Sequence, residues 1–224
     1  MPSDTREPWV PKAYPACADA ARAVTDWLGS GGGSALHAAG LDLRGADFSA
    51  GDFRQARFDE AVLDGVSLAG ADLYRAGLPH ASCRNADFSD ACLVRAELDE
   101  ADLRGCRLDR ADMVKASVCD VDARGASLRG TRVMGASLLG VDLRGADLSY
   151  AVVRDNSFKV TVDDTTVVEG LTGTVFGPVT VQEQAGTLVL SGRDVEGWFA
   201  ERGARIEMLT PARSPLHTAR PRRR

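Results

Sequence analysis

The residues able to do chemistry are scattered through this 224-residue chain. Its three histidines, His37, His80 and His217, fall in three different regions. None stands near another at the spacing that holds a metal ion or that seats a base beside a nucleophile. No H-x-x-x-H, G-x-S-x-G or phosphate-loop sequence is present. The five cysteines (Cys17, Cys83, Cys92, Cys106, Cys119) are irregularly spaced with no C-x-x-C, which argues against a disulfide framework or a metal site and for a reducing cytoplasm. Aspartate is plentiful, but most of it recurs at one slot of a repeat, so paired carboxylates follow from the repeat and are poor witnesses to acid–base catalysis. These residues point away from an enzyme and require neither cofactor nor metal.

The positioning element is the repeat itself. From Leu41 to Val160 the chain repeats every five residues without insertion or deletion. Large apolar residues mark the centres, from Leu43, Phe48, Phe53 and Phe58 to Leu143, Leu148, Val153 and Phe158. Two residues earlier sits a small one, usually Ala, and Asp is commonest between them, as in Ala46-Asp47-Phe48 and Ala101-Asp102-Leu103. A helix would scatter such centres around its cylinder. In extended chain, side chains alternate, so the centre and the small residue two before it point the same way. The pattern predicts short extended pieces joined by bends and coiled so that the centres meet on one axis. Gly at the last slot of many units, such as Gly45, Gly65 and Gly105, suits the bend.

These units, reading A-(D/N)-L-x-x, resemble the pentapeptide-repeat family. The resemblance implies an all-β fold, a right-handed quadrilateral β-helix with four units per coil. Twenty-four units then make about six coils, a rod on the order of 30 Å long at the ~4.8 Å strand spacing. Cys83 and Ala123 are small for centres. Gly51, Thr131 and Asn156 replace the usual Ala, and the coil is expected to end around Asn156–Phe158. Several family members are rod-shaped mimics of duplex DNA that bind type II topoisomerase and protect it from drugs or toxins.

With four units per coil, positions twenty apart share a face. The first face carries Arg44, Asp64, Arg84, Arg104, Arg124 and Arg144 beside Asp42, Asp102, Asp122 and Asp142, which predicts a mixed, near-neutral ladder. On the third face Tyr74, Val94, Val114 and Met134 form an apolar stripe between Arg54 and Arg154, either covered by another segment or a partner surface. On the fourth, Asp59, Glu60, Glu97, Asp99, Glu100 and Asp120 form an acidic patch against Arg57, with Arg75, Arg95 and Arg104 nearby. The resemblance makes this patch the candidate for imitating DNA and binding gyrase. Against it, the repeat region holds 20 acidic and 16 basic residues, few spare charges for a polyanion. The alternative is an interaction scaffold that docks a protein through the apolar stripe and the C-terminal segment.

The ends are distinct. Residues 1–40 comprise a proline-rich start, a helix over 16–28 and a Gly-rich link at 29–34; the helix is a candidate cover for the first coil. Residues 161–210 read as strands at 167–171, 174–182 and 187–190, a helix capped by Ser191 or Asp194 and running to about Arg202, and a strand at 205–209. They form a cap or a dimerisation module. The tail 211–224, with Arg213, Arg220, Arg222, Arg223 and Arg224, reads as solvated, with at most weak nucleic-acid contact. No apolar run approaches the ~20 residues of a membrane span, and net charge is −5.

Overall fold

The five-residue rhythm becomes a stack of parallel rungs in the computed structural model, which describes residues 9–31 and 35–209. Single-residue parallel pairings run from His37↔Arg57, one unit before the expected start at Leu41, to Asp147↔Val167, each joining residues twenty apart. The N–H of each centre donates to the next rung, as from Leu43 to Val62 O (2.8 Å) and from Leu98 to Ser117 O (2.9 Å). Between successive units, the small residue's N–H donates back to the preceding centre, as from Ala46 to Leu43 O (3.1 Å), and this closes most bends. The result is a β-helix-like solenoid. All the predicted centres from Leu43 to Phe158 are buried, Cys83 and Ala123 included. At ~25 cal/mol per Å² of apolar surface, this column is the main source of stability.

Every bend places the unit's last residue in the left-handed backbone region. Gly fills that slot in many units, but Gln55, Arg95 and Glu100 occupy it equally, each with φ of 60°. The repeat therefore tolerates the steric cost of a side chain there.

The N-terminal segment closes the first rung. Ala13 pairs antiparallel with Asp47, and α1 (Ala18–Gly29) buries Ala20 and Val24. The Trp9 ring meets Phe53 edge-on at 5.3 Å and Trp27 stacks on Phe53 at 5.7 Å, while the Trp9 indole N–H donates to Ser49 O (3.0 Å). Gly51 replaces Ala here because a Cβ would lie 2.3 Å from the Phe53 ring and 2.7 Å from that of Trp9.

At the other end the expectation is corrected. Stacking does not stop at Asn156–Phe158 but continues through β3 (Val152–Asp163). Before it lie β1 (Arg132–Met134) and β2 (Ser137–Asp142), both parallel to it; after it, β4 (Thr172–Phe176) and β5 (Val179–Glu183) pair with it in parallel as well. The register slips by one between Leu139 and Val141 and again between Arg154 and Asn156, so partners become nineteen apart and a strict search for fives loses them. β6 (Gly186–Leu190) turns back antiparallel on β5. α2 (Arg193–Ala200) packs Phe199 near Phe158, with ring centres 6.4 Å apart, and β7 (Arg205–Met208) adds in parallel to β4. The strands thus differ in bounds from those expected, and the cap of α2 is Gly192 rather than Ser191 or Asp194. No described helix is long and apolar enough to cross a membrane. Residues 32–34 of the Gly-rich link and the basic tail lie outside the described residues.

Candidate interaction surface

Polar residues that face inward follow one rule. Where the small inward slot holds a hydrogen-bonding side chain, it bonds the carbonyl of the centre twenty-three residues earlier. Cys106 Sγ donates to Cys83 O, Thr131 Oγ1 to Leu108 O (2.8 Å) and Thr166 Oγ1 to Leu143 O (3.2 Å). Asn156 goes further. Its Nδ2 donates to Val133 O (2.7 Å) and its Oδ1 accepts from Ala136 N (2.8 Å), inserting into a bend that other units close directly. Burial pushes the Cys83 thiol well up and the Cys106 thiol up to about 12. A thiol held protonated is a poor nucleophile and metal ligand, so the interior carries packing and no visible chemistry.

The outer faces carry the charge. On the first face Asp102 accepts from Arg84 Nε (2.6 Å) and Arg104 Nη2 (2.6 Å), and Asp122 and Asp142 pair likewise with Arg124 and Arg144. Arg104 reaches on to Asp122 (3.6 Å) and Arg124 to Asp142 (3.8 Å), so the predicted ladder is continuous from Arg84 to Arg144. The Arg104 hydrogen bonds hold the Asp102 carboxyl well below the usual carboxylate range; partial burial opposes them, and the Arg84 bond adds to them.

The six predicted acids of the fourth face divide. Asp99 is half-buried and spends Oδ1 on Ser117 Oγ (2.7 Å) and the Cys119 N–H (2.9 Å), so it ties two rungs together. Asp59 takes Arg57 (3.3 Å); burial raises its carboxyl, but the hydrogen bonds and the nearby Arg57 and His37 outweigh that and leave it lowered. Glu100 lies 3.3 Å from His80 Nδ1. Glu60, Glu97, Glu100 and Asp120 are exposed. Farther along, Cys119, Leu139 and Lys159 replace the acids, Leu139 being exposed. The apolar stripe Tyr74, Val94, Val114 and Met134 is half-buried throughout, with Arg54 and Arg154 exposed at its ends.

Sequence reading missed the most exposed apolar side chains near the C-terminus. Leu188 and Val189 on β6 are 47% and 68% exposed. Among the described residues β6 pairs only with β5 and stands at the sheet edge. The apolar run 187–190 signalled a strand, and nothing in it signalled the edge.

A solenoid of stacked five-residue units with an apolar interior and charged outer faces is a repeat architecture, each unit resting on its neighbours. Family comparison then places it. Eight copies of pentapeptide repeats match over residues 42–78, 81–118 and 114–149, so this region of the chain is built of pentapeptide repeats. Among solved structures, full-length QnrB1, a plasmid-mediated fluoroquinolone resistance protein, is 17% identical over 63% of this chain and 77% of its own, with a TM-score of 0.49. HetL, a pentapeptide-repeat protein involved in heterocyst differentiation regulation from Nostoc sp. strain PCC 7120, is 25% identical over 61% and 82%, with a TM-score of 0.23. AT2G44920 from the Arabidopsis thaliana thylakoid lumen is 30% identical over 50% and 68%, with a TM-score of 0.17. No curated protein matches the chain.

Proposed function

We propose that this chain is a non-catalytic binding protein of the cytoplasm that docks protein partners on its outer faces. In this reading the stacked rungs form a right-handed four-sided β-helix, the N-terminal segment with α1 covers its first coil, and the C-terminal segment with β6 pairs two copies. The observation that carries the reading is the outer edge of β6, which no described strand pairs and which presents Leu188 and Val189 to water. Such an edge is a template for a second strand. The half-buried stripe from Tyr74 to Met134 supports a further docking face. The test is molar mass by light scattering across a concentration series. A dimer that Val189→Glu converts to monomer supports the module's role, and a wild-type monomer at all concentrations rejects it.

A second reading, protection of DNA gyrase by imitation of duplex DNA, is supported by the exposed column Glu60, Glu100 and Asp120, set at successive bends of one corner apart from His80. Regular anionic spacing can enter a groove built for phosphates. Against it stand the internal pairing of Asp59 and Asp99 and the Arg ladder on the neighbouring face. Reversal at Glu97, Asp99 and Glu100 would disturb the Asp99 tie between rungs, so Glu60→Lys, Glu100→Lys and Asp120→Lys form the cleaner set. Protection of gyrase in a supercoiling assay, lost in that triple variant, supports mimicry; absence of protection by wild type rejects it.

A further inference from the structure

Arginines on this solenoid are nearly all paired. Of the fourteen in residues 41–160, all but Arg75, Arg95 and Arg154 lie within 4.0 Å of a carboxylate among the described residues. Two of these exceptions share one corner. Arg75, Arg95 and Lys115 occupy the last slot of units twenty residues apart, with φ of 57°, 60° and 59°. Their N–H groups donate to Val94 O (3.0 Å), Val114 O (2.9 Å) and Met134 O (2.9 Å), which fixes them on successive rungs. With like backbone and like register, the three side chains leave the corner alike, one per rung at the ~4.8 Å strand spacing. All three are exposed and none has an ion-pair partner among the described residues, although Arg75 lies over the Tyr74 ring at 5.3 Å. Together with Glu97 they line an open groove of about 450 Å³.

Three unneutralised cations in a row repel one another, whereas the Arg column of the first face is interleaved with Asp. We propose that this groove is a binding site for a short linear oligophosphate. A line of cations one rung apart matches an anion whose charges also run in a line, and guanidinium groups bind phosphate oxygens in pairs. The groove offers only charged side chains, and the neighbouring Tyr74 ring already faces Arg75. It therefore selects a phosphate chain and has no platform for a base. Glu97 makes no ion pair within 4.0 Å with any of the three and contributes one opposing charge, leaving the site net positive.

The full chain is titrated calorimetrically with sodium tripolyphosphate and with orthophosphate at low salt, using wild type, Arg95→Gln/Lys115→Gln and Glu97→Gln, each checked for an unchanged melting temperature. The expected results are at least tenfold tighter binding of tripolyphosphate than of orthophosphate, at least tenfold weaker binding in the double variant, and tighter binding in Glu97→Gln. Because the double variant keeps the basic tail 211–224, undiminished binding there would assign all affinity to the tail and overturn the proposal. Equal affinity for the two anions would overturn it too.

Discussion

Gly173 is the position where one methyl group should do the most damage. It lies in β4 with φ of +141°, paired with Val153 of β3, and a Cβ added there would lie 1.4 Å from the Val153 carbonyl oxygen. Backbone cannot yield as a flexible side chain can, so Gly173→Ala must push β4 off β3. Gly125 is the control: its φ is +66°, but a Cβ there meets nothing within 4 Å. Gly125→Ala therefore feels only the left-handed cost of about 1–2 kcal/mol, reduced by about 0.4–1 kcal/mol because the unfolded chain also loses freedom. A net of about 1 kcal/mol follows. Gly173→Ala adds the stranding of two buried ladder groups, at about 1–3 kcal/mol each, for a total of roughly 3–7 kcal/mol. Urea unfolding at constant m-value measures both. If the two variants fall within about 0.5 kcal/mol of each other, β4 is not stacked on β3 as described.

Asp102→Asn should destabilise by about 1 kcal/mol or less, since its partners are largely exposed. The same variant should flatten the acid limb of the stability curve. Asp102 and Asp122 have lowered folded pKa values, so their contributions are complete above the unfolded value of about 3.9 and are lost as pH falls through the folded ones. A wild-type curve level from about pH 7 down to 5 and falling below that, steeper than the variant's, is the expected result; identical curves would count against the ladder. Leu98→Ala, at a fully buried centre, should cost about 2–5 kcal/mol in thermal or urea unfolding. With a thiol-specific reagent, Cys83 and Cys106 should stay unmodified until unfolding while the half-buried Cys92 and Cys119 react first, as peptide mapping would report.

The inward half of the solenoid was legible because burial and spacing are the same fact there: a centre every fifth residue has nowhere else to point. Even Cys83 and Ala123, weak as centres, were placed by register alone. The C-terminal boundary was not legible. Once the register slips to nineteen beside Val141 and Asn156, the continuing coil reads as ordinary β-branched alternation, and Val160 and Val162 lose their phase although they remain buried. Asn156 looked like a flaw because its partners, Val133 O and Ala136 N, lie one rung back and carry no sequence mark. The six acids of the fourth face looked equally available because a column of letters cannot say that Asp99 is engaged with Ser117 and Cys119.

The pairing of residues twenty apart sets a rule for how such a gene can lengthen. Duplicating one unit would leave the hydrophobic column intact, yet it would carry every downstream surface residue to the adjacent side and set Arg124 out of line with Asp142. Growth by whole turns alone extends the rod while preserving the ornament on its flanks.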